Sequence, residues 1–256
     1  MKVVILCGGK GTRLREETEF RPKPLVEVGG VPLLVHIMKH YSAYGHKEFI
    51  LCLGYKGDAI KDYFLEFDSK EDIEVNLKEK IVRRLSNTEL PDWKVICANT
   101  GLNSATGSRI KQIQKYIGNE DFMVTYGDGV SNLDINDLIK FHNAHGKIGT
   151  VTTVPPRTRF GRLTVGDNHK VSSYEKKTTV HDGWIDGGFF VFKNKIFDHL
   201  EEREDCELEG HGIKRLAEQG ELLAYKHTGF WHCVDTIRDH ELLNAMWDNE
   251  NKRWKI

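Results

Sequence analysis

Residues 1–26 read MKVVILCGGKGTRLREETEFRPKPLV. Val3–Leu6 is apolar at every position, which predicts a short strand buried on both faces. It runs into Gly8, Gly9 and Gly11, followed by Thr12, Arg13 and the Pro22-Lys23-Pro24 triplet. In an open parallel sheet a ligand sits beyond the carboxyl ends of the strands. Glycines at that edge let the chain turn tightly and let a phosphate approach bare N–H groups. Arg13 offers a planar fork for phosphate oxygens and Lys23 a mobile point charge. Several cations beside exposed amides suit a polyphosphate; a plain glycine turn is the competing reading. Two familiar phosphate loops do not fit. A dinucleotide fingerprint needs G-x-G-x-x-G, and Leu14 stands where its last glycine belongs. No G-x-x-x-x-G-K-[ST] occurs anywhere.

The alternation continues outward from this stretch. Apolar residues at 33, 34, 37, 38 and 41 mark a helix over 32–45 that ends at Gly45. Strand-like runs follow at Phe49–Leu53, Val95–Ala98, Phe122–Thr125 and Gly149–Val154, with helical patterns at 58–67, 108–117 and 138–145 between them. Strands alternating with helices predict an α/β fold, a mostly parallel sheet flanked by helices. Beyond residue 150 short strands dominate, at 162–166, 170–174, 184–192 and 222–226, with helices near 194–202, 210–218 and 236–247. The expected organisation is one domain over 1–256. Its α/β half covers about 1–150, and a smaller β-rich accessory part runs from about 151 to 256. Residues 66–94 have no clear period, which fits a hairpin insertion or an oligomer contact.

Composition narrows the function. With 37 Lys and Arg against 38 Asp and Glu, the chain has no basic excess, which disfavours a protein built mainly for nucleic acid. No apolar run is long enough to span a membrane, and the first residues do not resemble a signal peptide. The five cysteines, at 7, 52, 97, 206 and 233, are scattered and contain no C-x-x-C, so a reducing cytoplasm is expected.

Two carboxylates stand out. Asp128 lies in Tyr126-Gly127-Asp128-Gly129, directly after a predicted strand. Alone it reads as a turn residue. Beside a polyphosphate site it reads as a ligand for Mg²⁺, which takes one or two carboxylates and completes its shell with water and phosphates. Asp235 precedes the last helical run and by itself reads as an N-cap. Asp239 reads as an exposed helix residue. His142 and His145 share a helical face, and His232 and Cys233 flank Asp235, but neither pair brings the three or four ligands zinc requires.

The ordered pattern G-G-x-G-T-R-L followed by P-K-P-L-V resembles the nucleotidyltransferases that make sugar nucleotides, with Cys7 where that family usually has a small Ala. The resemblance implies a Rossmann-like sheet, with a nucleotide-binding half over about 1–150 and a sugar-binding half over about 151–256. It also implies that Leu6, Gly8, Gly9, Gly11 and Thr12 wrap the nucleotide, that Arg13 holds the triphosphate, and that Lys23 contacts the reacting phosphates. Asp128 and Asp235 would hold Mg²⁺, so Arg13, Lys23 and Asp128 form the implied catalytic set.

Within the family, the stretch from Asn99 to Arg109 is similar to the D-T-G-x-x-x-x-T-G-G-R segment of glucose-1-phosphate cytidylyltransferases. So are Gly54-Tyr55-Lys56-Gly57, R-F-G at 159–161, G-G-F-F-V at 187–191 and Q-G-E-L at 219–222. That similarity implies CTP, with Thr106, Gly107 and Arg109 on the cytosine side. Tyr126, Gly127, Glu175, Lys176, Asp186 and Gly187 would meet the sugar 1-phosphate. It further implies a homo-oligomer, with no nucleic acid or membrane partner, serving bacterial surface polysaccharide such as O-antigen. Three departures fall on the acceptor side: Lys177 for the proline of E-K-P, Asp186 for an asparagine, and Glu209–Ile213 where an E-P-L element belongs. Same-chemistry enzymes with another acceptor or nucleotide, a silent sugar-nucleotide binder and a nicotinamide dehydrogenase are the rivals.

Overall fold

In a computed structural model of the chain, the strands assemble into a seven-stranded sheet. The structure describes residues 1–67, 73–84, 90–156, 162–165, 170–175, 183–249 and 253–254. From one edge to the other the strands are Leu222–Lys226, Gly149–Val154, Ile185–Phe192, Phe122–Tyr126, Lys2–Cys7, Glu48–Leu53 and Lys94–Asn99. Ile185–Phe192 pairs antiparallel with both neighbours, and the remaining pairs are parallel. The α/β expectation holds, with a Rossmann-like parallel region around the first strand.

Lys2–Cys7 is buried on both faces because helices cover both. Val3, Ile5 and Cys7 pack with Leu34, Met38 and Tyr41 of helix Leu33–Ala43. Val4 and Leu6 pack on the other side with Ile110, Phe122, Phe190 and Phe192. The chain crosses from this central strand to neighbours on opposite sides, the topology that opens a crevice at the carboxyl edge. Leu6 lies opposite both Cys52 and Tyr126. The glycine loop and the Gly127-Asp128 turn therefore leave the sheet side by side.

A third core explains how distant segments meet. Leu14, Val26, Val28, Val130, Val234, Leu243 and Trp254 form one buried cluster. Each site charge lies within three residues of a member: Arg13 by Leu14, Lys23 by Val26, Asp128 by Val130 and Asp235 by Val234. Burial of each such side chain contributes about 1.5–3 kcal/mol, enough to gather four chain segments around one point. Leu14, which broke the dinucleotide pattern, is fully buried there.

Several boundaries shift. The helix expected over 108–117 is two pieces, Thr106–Gln112 and Gln114–Ile117. The helix expected near 194–202 is a 3₁₀ turn at Asn194–His199, and the one near 210–218 opens as a wide π-type turn, Leu208–Ile213, before Lys214–Glu218. The aperiodic insertion contains a hairpin, Ile73–Asn76 with Ile81–Arg84. A second hairpin, Arg162–Val165 with Val171–Glu175, belongs to the β-rich part.

Candidate active site

The glycine loop is shaped from below by Arg109. This buried side chain donates from Nη1 to Leu53 O (3.0 Å), Thr100 Oγ1 (2.9 Å) and Gly101 O (2.7 Å), and from Nη2 to Gly8 O (3.2 Å). A Cβ on Gly8 would lie 2.2 Å from Arg109 Cζ, so any side chain there would have to displace the guanidinium from its bonds. Gly11 has φ +62°, the left-handed region that favours glycine. Thr18 Oγ1 closes the turn by donating to Gly11 O (3.0 Å) and Leu14 O (2.9 Å). Arg109 was expected to face cytosine. It lines the cleft, but the bonds of its two terminal nitrogens go to the protein itself, which makes it a clamp joining three loops.

Four charges expected to act together are in contact. Lys23 Nζ donates to Asp128 Oδ2 at 2.6 Å and to Asp235 Oδ1 at 2.8 Å. Arg13 Nη1 reaches Asp235 Oδ2 at 2.8 Å. Burial pulls the Lys23 pKa down, but the Asp128 and Asp235 carboxylates outweigh it and the net shift is upward. Lys23 is held between two prolines, with Pro24 buried. The carboxylates are aligned by a short antiparallel pair, Gly129–Ser131 with Trp231–Cys233, and by Val234 N donating to Asp128 O at 2.9 Å.

Two sequence readings change here. Thr236, not Asp235, is the N-cap of helix Ile237–Asp248. Asp239 is not an idle surface residue. It completes a capping box with Thr236, accepts from Asp235 N at 3.2 Å and lies 3.4 Å from His232 Nε2. It holds the turn that presents Asp235, and its pKa is lowered because hydrogen bonds from Thr236 outweigh burial. Burial pushes the Cys7 thiol well up, and burial and then Asp128 push Cys233 to about 12, so both stay neutral. His142 Nδ1 and His145 Nε2 both meet Thr150 Oγ1, at 2.8 and 2.7 Å, as structural histidines.

The opposite wall is acidic. Glu209 accepts from the Tyr126 hydroxyl and from Thr106 Oγ1 (3.1 Å), while Thr106 Oγ1 also accepts from Leu208 N (2.8 Å). The Tyr126 pKa is raised, first by burial and then by Glu209. Gly107, in the first turn of Thr106–Gln112, packs against the backbone at 206–208. Asp186 is exposed as a residue, yet its carboxyl folds back to accept from Gly188 N at 2.7 Å. Desolvation pushes it up to about 6, opposed by that hydrogen bond and helped by Glu209. Gly187 O accepts from Trp231 Nε1 at 2.7 Å. Glu175 ends the strand opposite Arg162, and Lys176 and Lys177 lie outside the described residues.

These walls enclose a cleft of about 640 Å³ lined by Leu6, Gly8, Gly9, Gly11, Thr12, Arg13, Lys23, Thr106, Arg109, Tyr126, Gly127 and Asp128. Glu207 and Glu209 also line it. As site residues they are new; in the sequence the 209–213 stretch stands out only as a departure from the E-P-L element. Gly127 N donates to Leu6 O at 3.2 Å, which sets Asp128 at the cleft floor. Asp186 and Gly187 are not part of its lining. Among the described residues no group of three or more His, Cys, Asp or Glu could hold a metal. The two-carboxylate, all-oxygen set of Asp128 and Asp235 already converges on one cation, the Lys23 ammonium. That arrangement fits a hard divalent ion whose other ligands are water and phosphate.

A parallel sheet carrying, at one switch point, a glycine loop, two basic side chains and two carboxylates around a nucleotide-sized cleft defines a nucleotidyltransferase. Residues 2–249 match the nucleotidyl transferase family, and the chain belongs to it. It is 43% identical over 257 residues to "Glucose-1-phosphate cytidylyltransferase" of Salmonella typhimurium strain LT2, covering 100% of this chain and 99% of that protein. A Bacillus subtilis relative, "Probable glucose-1-phosphate cytidylyltransferase", is 44% identical, with 100% of both chains covered. A UTP-bound UGPase from Acinetobacter baumannii shares the fold, at TM-score 0.72 and 16% identity, over 99% of this chain and 95% of that one. Family membership disposes of the dehydrogenase reading.

Proposed function

We propose that this protein transfers a cytidylyl group from CTP to glucose 1-phosphate, giving CDP-glucose and pyrophosphate. The observation that carries the reading is full-length identity of 43% to a glucose-1-phosphate cytidylyltransferase, in a chain whose Arg13, Lys23, Asp128 and Asp235 meet at one cleft.

A phosphate oxygen of the sugar 1-phosphate attacks the α-phosphorus of CTP. The bond from that phosphorus to the oxygen bridging the β-phosphate breaks, and pyrophosphate leaves with the electron pair. The nucleophile is already an anion, so the reaction needs alignment and charge neutralisation more than a strong base. The glycine loop offers open backbone at Gly9, where a Cβ would meet nothing within 4 Å. Arg13 and Lys23 neutralise the phosphates as negative charge moves to pyrophosphate. Asp128 and Asp235 would hold Mg²⁺, which supplies further neutralisation at the phosphates. Arg109 acts indirectly, by holding the Gly8 backbone against the nucleotide. Thr106 and Gly107 border the cytosine side, and Tyr126, Gly127, Asp186 and Gly187 with Glu175 and Lys176 serve the acceptor. Exposed Leu65 and Leu90, near the edge strand Lys94–Asn99, support a homo-oligomer, and the five free cysteines support a cytoplasmic location.

A second reading keeps the chemistry and changes the acceptor. It is favoured by the Asp186 carboxylate, which replaces the amide donors of an asparagine. Pyrophosphate release with Mg²⁺, crossing nucleoside triphosphates with a panel of sugar 1-phosphates, separates them. Release with CTP and glucose 1-phosphate is expected. Release with CTP and only another sugar would establish the second reading, and no release with any pair would refute both.

A further inference from the structure

The four central charges cancel within the protein. Lys23 bridges Asp128 and Asp235 at 2.6 and 2.8 Å, and Arg13 pairs with the second oxygen of Asp235 at 2.8 Å. The groups that would hold a metal are therefore occupied by the groups that would hold the triphosphate. The backbone gives little freedom to this arrangement. Proline flanks Lys23 on both sides, and the two aspartates are tied through the Gly129–Ser131 and Trp231–Cys233 pair. Only the lysine's four-carbon stem can carry its ammonium away.

A divalent cation arriving alone must displace an ammonium that is mostly buried, with 13% of the side chain exposed. Unless a new partner is present, that ammonium is left unpaired, and an unpaired charge in a shielded site is costly. A triphosphate arriving alone meets cations already neutralised, and Glu207 and Glu209 on the far wall. When both arrive, the metal takes the carboxylates and the phosphates take Lys23 and Arg13. Every charge then exchanges one partner for another.

We propose that Lys23 holds the metal's place in the free enzyme, so that divalent cation and triphosphate bind as a thermodynamically coupled pair. The inference rests on the nucleotidyl-transfer reading. It assigns Lys23 a role before any chemistry: it suppresses binding of free metal and is released to the phosphates when both ligands enter. Coupling of this kind is reciprocal, so each ligand raises the affinity of the other by the same factor.

The test uses Mn²⁺ alone, titrated by calorimetry into nucleotide-free wild type, Lys23→Met and Lys23→Met/Asp128→Asn. Lys23→Met should bind Mn²⁺ about tenfold or more tighter than wild type, because the competing charge is gone. Adding Asp128→Asn should abolish the gain. Equal affinity in wild type and Lys23→Met, or a gain that survives Asp128→Asn, would overturn the proposal. A second measurement needs no variant. The rise in wild-type melting temperature with Mn²⁺ and CTP together should exceed the sum of the rises with each alone; simple additivity would overturn the proposal. The two readings fail separately. Pyrophosphate release across the substrate panel tests the transfer reaction, and Mn²⁺ affinity without nucleotide tests the role of Lys23.

Discussion

The two walls of the cleft are built from different material. One wall is backbone: Gly8 and Gly11 bend between the first strand and Thr18, and Arg109 clamps the Gly8 carbonyl from beneath. The facing wall is side chain: Tyr126 and Glu209 project from a strand end and a helical turn. A substitution in the backbone wall disturbs its support, because a Cβ at Gly8 would push the Arg109 guanidinium out of place. A side-chain wall can change its chemistry one residue at a time.

The contrast can be broken by experiment. Lys23 sits between the walls, and Lys23→Ala should lower kcat/KM by about a thousandfold, the scale of losing a charged transition-state donor. Thermal unfolding should move only a few degrees, since the two carboxylates it leaves are partly exposed. Near-normal turnover would remove Lys23 from the chemistry. Next in size, Arg109→Met should destabilise the fold by about 3 kcal/mol, because buried carbonyls lose their donor. Urea unfolding and the KM for CTP should worsen together. A rise in the CTP KM at unchanged stability would make Arg109 a direct reader of the base and undo its role as a clamp. Asp128→Asn should raise the Mg²⁺ concentration for half-maximal turnover by about tenfold, on the scale of losing one charged ligand; an unchanged titration would take it out of the metal site.

The smallest effect sharpens the acceptor side. Asp186 has a folded pKa raised from 3.8 to about 6. Between those values the folded state binds the extra proton, so this group's contribution to stability falls as pH rises through the window and is fully lost above about 6. Asp186→Asn should therefore stabilise the protein at pH 7.5 and leave it unchanged below pH 4, as read by melting temperature. The same variant should shift preference towards glucose 1-phosphate and flatten the pH dependence of its KM between the two limits. An unchanged acceptor profile would place Asp186 outside the sugar site.

Much of the fold was legible because its signals are local. Fully apolar runs at 3–6 and 49–53 became central strands, and Gly149–Val154 was bounded correctly at both ends. The helix over 108–117 was misjudged because its apolar stripe continues across the break at Ile113, where the two segments meet. Asp239 was missed because a capping box depends on which residue turns out of the helix, and Thr236 and Asp235 were both able caps. Glu209 was missed because nothing near it in the chain marks a glutamate that will bond Thr106 and Tyr126, 103 and 83 residues away.

The sequence by itself determined the α/β alternation, the glycine loop at a strand's carboxyl end and the identity of the four charged residues. These depend on period, on glycine's backbone freedom and on a motif read along one stretch of chain. Tertiary structure alone decided that Lys23 bridges two aspartates 105 and 212 residues away, and that the terminal nitrogens of Arg109 bond the protein's own loops. Both outcomes follow from strand register and from the third core, which brings Leu14, Val26, Val130 and Val234 to one place. Hydrogen bonds and ion pairs act over a few ångströms, and distance along the chain carries no record of which groups will come that close.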